Sequence, residues 1–264
     1  EDMVVGPRLT PCSRALTPSV VGPGAAEDSP YITNQGADAF RRAAQREIDA
    51  GARIIKIFAA SGHALLGTRP MTEEEISAVV DLAHENNVRV RAHVGGRDNV
   101  LRCVKLGVDI IDHADGMDDE IIEAILDKGC FVLPSLYFGY LTSSDPSLPG
   151  AELYFPEDYE QMRDTLPEAA NAGVKFVPGD DYGFGALNHG DYPQELACYV
   201  EQVGIDALDV IKWATKYGGE MTGTPDLGTI APGMLADMVI VNGDPSEDIN
   251  ILSDLSRIVT VIKD

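Results

Sequence analysis

Strand and helix patterns alternate along this chain from about residue 36 to about residue 216, and this alternation limits the possible folds more than any other feature. Short apolar runs at 52–60 and 130–136 are typical of buried strands, whereas the apolar residues at 76–83 repeat with helical spacing after a predicted capping box of Thr72 and Glu75. The pattern predicts five or six strands, five that end near residues 59, 93, 113, 136 and 180 and one more around 6–15, with a loop over 142–157. Strands separated by helices pair in parallel, and the helices cover them. The pattern therefore predicts an α/β fold of the (β/α) barrel type, for which 264 residues are an ordinary length.

The chain after residue 226 follows a different pattern. Residues 228–233, 236–242 and 258–262 have the composition of β segments joined by turn residues, and no helix of barrel length separates them. They indicate an antiparallel β appendage beside the barrel. We therefore expect a barrel domain over 1–226 and a small β unit over 227–264.

Charge and cysteine content argue against several classes of function. The chain has 20 basic and 43 acidic residues, and its net charge of −23 is unsuited to binding nucleic acid or an anionic membrane surface. Its four cysteines form no Cys-x-x-Cys pair, so we expect neither a disulfide framework nor a zinc finger. No apolar run is long enough to cross a bilayer, and we expect no export signal in the sequence as given. We expect a cytoplasmic protein that acts on a small molecule.

Polar side chains stand where the predicted strands end, which is the edge that carries the active site of (β/α) barrels. His93 and His113 close two consecutive strands, and Asp181 ends the last one. Imidazoles at neighbouring strand ends are good zinc ligands, and a carboxylate beside them can bind metal or accept a proton from water. Each residue also has a structural alternative: a core histidine, or an aspartate that caps a loop. Asp180 competes with Asp181 for the role of ligand.

Lys56 is the most informative polar residue, because it interrupts an apolar strand and burying an unpaired ammonium is costly. Carbamylation by CO₂ would convert the amine into a carboxylate-like group that can bridge two metal ions. The alternative is a lysine that reaches solvent or pairs with an acid.

The order Lys, His, His, Asp along successive strands resembles the amidohydrolase superfamily, in particular its imidazolonepropionase- and prolidase-like branch. Four segments are similar to the motifs of its strands four, five, six and eight: 54–62, 91–96, 111–114 and 178–183. The most specific segment is LGTIAPGMLADMVIVNGDP at 227–245, which in this superfamily leads into a small β-sandwich domain. The resemblance implies a (β/α)8 TIM-type barrel with strands 3–8 represented here, followed by the C-terminal strands of the sandwich.

The resemblance also implies a metal-dependent amidohydrolase that cleaves a C–N bond in an amide, cyclic amide, carbamate, urea or acyl-dipeptide, so a dipeptidase is among the candidates. Carbamylated Lys56 would bridge two zinc ions, and His93 and His113 would hold one of them. Asp181 would be both a ligand and the catalytic base for a metal-activated hydroxide. A homo-oligomer is expected. Candidate substrate contacts are Tyr137 and Tyr182 at the ends of two strands, and His63 and His189 in the loops that follow strands.

One motif of the family is missing from this sequence. The first barrel strand of the family carries His-x-His, and the chain has no such pair. We therefore expect the front of the protein to precede Glu1. Two alternatives stay open: a mononuclear, deaminase-like member in which Lys56 is not carbamylated, and a catalytically inactive barrel that binds a small molecule or a partner chain.

Overall fold

A computed structural model of the chain describes residues 6–18, 31–60 and 69–264. The strands of its main sheet are β1 (Ala15–Thr17), β2 (Tyr31–Thr33), β3 (Ile54–Phe58), β4 (Arg89–Val94), β5 (Ile110–His113), β6 (Phe131–Leu133) and β7 (Lys175–Phe176). They pair in the order β2-β1-β3-β4-β5-β6-β7, and all of these pairings are parallel. The predicted parallel α/β architecture is confirmed.

Helices connect the strands and cover one face of the sheet. They are α1 (Ala37–Asp49), α2 (Glu73–Glu85), α3 (Arg97–Lys105), α4 (Asp119–Lys128), α5 (Leu136–Ser144), α6 (Pro156–Ala172), α7 (Tyr192–Glu201), α8 (Ala207–Lys212) and α9 (Gly218–Thr222). A π-helical turn, Trp213–Tyr217, joins α8 to α9. No helix in the described ranges is long and apolar enough to cross a membrane.

Local sequence signals account for several helix ends. Thr72 and Glu75 form the predicted capping box at the start of α2, where each side chain accepts the backbone N–H of the other residue. Gly129 and Gly173 follow α4 and α6 with φ of 70° and 101°, a left-handed conformation that glycine adopts without steric cost. These signals lie within a few residues of each helix end, so the sequence alone predicts where these helices begin or end.

The alternation of side chains along the strands divides the core into two layers. Residues such as Ile55, Ile57 and Val90 pack under the helices in the larger cluster. The opposite face of the sheet carries a smaller cluster, formed by Ile54, Ile110, Phe131, Leu133 and Val177. Lys56, two residues after Ile54, falls on this second face, which is the interior side of the barrel.

In the described residues the main sheet has seven strands, whereas the sequence predicts five or six, and the difference lies in β1 and β2. The strand expected at 6–15 lies at Ala15–Thr17, and Tyr31–Thr33 was not predicted. Both are three residues long, too short for an alternating pattern to be recognised. In the described part of the chain, no backbone pairing joins β2 to β7.

The region after β6 also differs from the prediction. A strand was expected over 130–136 and a loop over 142–157, but β6 ends at Leu133 and α5 begins at Leu136. Ser135 between them has a φ of 56°, which breaks the extended conformation. Tyr137 therefore lies in the first turn of a helix and not at the end of a strand.

The C-terminal segment forms the expected antiparallel pair. Strand β8 (Met238–Val241) pairs with β9 (Ile258–Ile262), and both lie in the predicted second unit, 227–264. The strand predicted at 228–233 is not present. Gly228 and Gly233 there have φ of 85° and 87°, which is incompatible with a regular strand.

Candidate functional site

The rings of His93 and His113 meet at the carboxyl end of the sheet, on its interior face. Nδ1 of His93 lies 2.9 Å from Nε2 of His113, and the two ring planes are nearly perpendicular. Both side chains are buried, with 3% and 7% of their surface exposed. The structure thus brings two predicted ligands together, and their role as ligands stays a prediction.

The backbone at the end of β5 makes this meeting possible. Asp112 and His113 are consecutive, so a regular strand would point them to opposite faces. His113 and Ala114 instead have φ of 67° and 60°, in the left-handed region. Such a conformation costs about 1–3 kcal/mol in a non-glycine residue and is found mainly at functional sites. It lets Asp112 and His113 both face the interior.

The facing nitrogens of the two histidines fit one divalent metal ion. With Zn–N bonds of about 2.0–2.1 Å, two nitrogens on one tetrahedral ion stand roughly 3.3 Å apart. The observed 2.9 Å separation is close to this value, and a small ring rotation would widen it. No group of three or more His, Cys, Asp and Glu side chains in the ranges 6–18, 31–60 and 69–264 is arranged to hold a metal. Those ranges therefore offer two converging nitrogen ligands.

Lys56 lies one layer deeper and pairs with an acid. Its Nζ donates to Oδ2 of Asp112, and Nε of Arg91 lies 2.7 and 2.9 Å from the two oxygens of the same carboxylate. Burial would raise the pKa of Asp112, but Arg91, Lys56 and His113 together hold it below its ordinary value. The described arrangement of Lys56 is thus the acid-paired alternative, and its carbamylation stays a prediction.

Asp180 and Asp181 occupy different environments. Asp180 accepts the backbone N–H groups of Phe138 and Asp181 at 2.9 and 2.8 Å, so both of its carboxylate oxygens are already engaged by the backbone. Asp181 is exposed. Its charge adds to burial in raising the pKa of Tyr31, and it also acts on Arg91. The geometry therefore favours Asp181 over Asp180 as the candidate ligand and base.

The predicted substrate contacts fall in two places. Tyr182 packs edge-on against Tyr192 with ring centroids 4.5 Å apart, and Nδ1 of His189 lies 3.2 Å from the Tyr192 hydroxyl. Tyr137 lies in α5, with its ring 6.5 Å from that of Tyr140, and it is near enough to Tyr182 to help raise the pKa of that hydroxyl. His63 lies outside the described residues. Contact of these residues with a substrate stays a prediction.

Sequence reasoning missed three residues of this region. Arg91 had a signal, because it precedes His93 by two positions and so shares its face of β4. Asp112 had none, since strand alternation assigns it to the face opposite His113. Glu195 also had none, because a glutamate in the first turn of a helix is ordinary. Glu195 is only 1% exposed, and burial raises its pKa to about 7.

Comparison with known proteins assigns the chain to a family. The model of the Amidohydrolase family matches residues 1–264, and the protein belongs to this family. It is similar to ochratoxinase of Aspergillus niger, with 28% identity over 252 residues that cover 91% of this chain and 51% of that protein. It is also similar to imidazolonepropionase of Salinispora tropica, with 25% identity over 247 residues that cover 92% of this chain and 53% of that protein.

Among solved structures, that of a Xaa-Pro dipeptidase with bound methionine in its active site is 31% identical and superposes with a TM-score of 0.75. The match covers 89% of this chain and 58% of that one. The resemblance and the fold class predicted from the sequence are therefore confirmed. The chain spans about half the length of the curated relatives it matches.

Proposed function

We propose that this protein hydrolyses a C–N bond in an amide-type small molecule at a divalent metal centre held by His93 and His113. The observation that carries the proposal is the convergence of Nδ1 of His93 and Nε2 of His113 at the carboxyl end of a parallel sheet. That end carries the active site in (β/α) barrels. Membership of the Amidohydrolase family supports the reaction class. Candidate substrates are amides, cyclic amides, carbamates, ureas and acyl-dipeptides.

The chain's own residues divide the work of hydrolysis. A divalent ion supplies Lewis-acid polarisation of the scissile carbonyl and makes water more acidic. Asp181 accepts a proton from the attacking water on a carboxylate oxygen and delivers it to the leaving nitrogen as the C–N bond breaks. The burial of both histidines keeps bulk water from their ring nitrogens. The candidate substrate contacts are Tyr137, in the first turn of α5, and Tyr182 and His189, in the segment after β7.

The proposed loaded state has two zinc ions and a carbamylated Lys56. Carbamylation would take Lys56 away from Asp112, and the contacts with Arg91 at 2.7 and 2.9 Å would leave that carboxylate paired. The Lys56–Asp112 ion pair favours a second candidate, the mononuclear deaminase-like enzyme, in which Lys56 stays an ammonium. Intact mass and ¹³C NMR in ¹³C-bicarbonate separate the two, because only the first carries one added CO₂.

The first test is metal content per chain, measured on protein purified without chelator. We expect bound divalent ion in the native chain and its loss in His93→Ala and His113→Ala. Hydrolysis is then screened on amides, carbamates, ureas and acyl-dipeptides, with Asp181→Asn as the variant that keeps metal and loses turnover. Absence of metal and of hydrolysis would contradict the proposal and favour the inactive, ligand-binding barrel.

The proposal includes a homo-oligomeric, cytoplasmic enzyme with a small-molecule substrate, and a division into a barrel over 1–226 and part of a β-sandwich over 227–264. The oligomer is an expectation from the resemblance alone, and the separate β8–β9 sheet supports the division. Light scattering coupled to size exclusion tests the oligomer, and a monomer at all concentrations would contradict it.

A further inference from the structure

The N-terminus of α5 is capped by carboxylates from two other parts of the chain. Glu195, in the first turn of α7, accepts the backbone N–H groups of Leu136 and Tyr137 at 3.2 and 2.8 Å. Asp180, beyond β7, accepts that of Phe138 at 2.9 Å. The residue before the helix, Ser135, provides no side-chain cap of its own. The three amides that open α5 are therefore all satisfied from outside the helix.

Glu195 and Asp180 also lie within hydrogen-bonding reach of each other. The two carboxyl groups thus join three separate pieces of the fold, namely the start of α5, the end of β7 and the start of α7. A glutamate that is 1% exposed needs partners of this kind, because burying an unsatisfied carboxyl group is costly. The arrangement is a connected polar network with the buried Glu195 at its centre and Asp180 half-buried.

This network adjoins the candidate catalytic carboxylate. Strand β7 pairs with β6 over only two residues, and the N–H of Val177 still donates to the sheet. Beyond Val177, the contacts of Asp180 fix the chain: one oxygen binds α5 and the other accepts the N–H of Asp181 at 2.8 Å. The direction in which Asp181 leaves the sheet therefore depends on Asp180 and on the helix end that Glu195 also holds.

We infer that Glu195 and Asp180 are positioning residues that hold the carboxylate of Asp181 toward the metal site of His93 and His113. The inference rests on the proposed function, since it takes Asp181 as part of that site. In other proteins, mutation of residues that hold a metal ligand in place without touching the metal changes metal affinity by about 10–100-fold. Metal affinity is therefore a direct readout, and it requires no knowledge of the substrate.

The experiment is a Co²⁺ titration of the 264-residue chain, followed by visible absorbance and by equilibrium dialysis. Asp181→Ala removes both side-chain oxygens, whereas Asp181→Asn keeps one, so the alanine variant gives the loss of affinity expected when no ligand oxygen is present. Glu195→Ala should weaken Co²⁺ binding by about 10–100-fold and change the absorbance in the direction of Asp181→Ala. Glu195→Gln keeps the size of the side chain and one oxygen for the N–H of Tyr137, so its affinity should stay near that of the native chain.

A matched control separates positioning from general destabilisation. Leu166→Ala removes a fully buried side chain from α6, and it should lower stability to urea while leaving Co²⁺ affinity unchanged. If Asp181→Ala weakens binding and Glu195→Ala does not, the inference is wrong and the proposed site stands. If the native chain binds no Co²⁺, or Asp181→Ala has no effect, the proposed role of Asp181 fails and the inference fails with it. Equal losses in Glu195→Ala and Leu166→Ala would also overturn the inference.

Discussion

Replacement of Glu195 by glutamine should change how the stability of this protein depends on pH. Burial raises the pKa of Glu195 to about 7 from an ordinary value of 4.5. The folded chain therefore binds the proton more tightly than the unfolded chain does. The resulting stabilisation is fully present below pH 4.5 and is lost as the pH rises through about 7. Glutamine resembles the protonated acid and does not titrate, so the stability of the variant should not fall in this way as the pH rises.

The size of the effect follows from the shift in pKa. Each pKa unit corresponds to about 1.4 kcal/mol, so the shift of Glu195 amounts to about 3 kcal/mol. Other titratable groups lie close enough to Glu195 for their pKa values and that of Glu195 to depend on one another. They are Asp180, Tyr137, Tyr154, Tyr182, Cys198 and Tyr199. Asp180 is the most important of them, and the two acids titrate as a pair. Comparing two chains that differ only at Glu195 cancels the contributions of distant groups.

The assay is urea unfolding at several pH values between 4.5 and 8, for the native chain and for Glu195→Gln. The native free energy of unfolding should fall relative to that of the variant by about 3 kcal/mol across this range. Glu123→Gln, at an exposed position on α4, is the control and should run parallel to the native chain. Parallel curves for Glu195→Gln and the native chain would refute the assignment of a raised pKa to Glu195.

Three further predictions concern the interior of the sheet and its carboxyl edge. Asp112→Ala leaves the cations of Lys56 and Arg91 without their shared carboxylate, and should lower the free energy of unfolding in urea by about 3–5 kcal/mol. Gly116→Ala puts a Cβ 2.8 Å from the backbone nitrogen of Arg97 at a φ of 79°, and should lower the melting temperature measured by circular dichroism. Added Zn²⁺ should raise the melting temperature of the native chain and leave that of His93→Ala unchanged, since only a ligand of the folded state stabilises it.

The sequence predicts those parts of the fold whose signals are local. The capping box of Thr72 and the glycines after α4 and α6 mark their helices without reference to the rest of the chain. Helix α5 was missed because its start depends on distant partners. Glu195, which caps the helix, is 59 residues from Leu136 in the sequence. Ser135 adopts the left-handed conformation although it is not a glycine, so no glycine marks the end of the strand. No short window of sequence contains that information.

The same distinction holds for the candidate site. The sequence predicts that His93 and His113 lie near each other, because they end neighbouring strands and parallel strands bring their carboxyl ends to one edge of the sheet. Their direct contact depends on the left-handed backbone conformation of His113. Sequence patterns do not predict this conformation for a residue other than glycine. The choice between Asp180 and Asp181 depended on a contact with Phe138, 42 residues earlier in the chain.

The charge of Lys56 is the point on which the alternatives for this site differ. Two cations, Lys56 and Arg91, already flank the single carboxylate of Asp112 in the interior. A divalent ion at His93 and His113 would add positive charge one layer above an ammonium, and low-dielectric surroundings strengthen that repulsion. Carbamylation removes the conflict by reversing the charge of Lys56, while Arg91 keeps Asp112 paired. The mononuclear alternative instead retains the ammonium and requires Asp112 to neutralise it. The two alternatives therefore assign opposite charges to one lysine, and the charge of Lys56 decides between them.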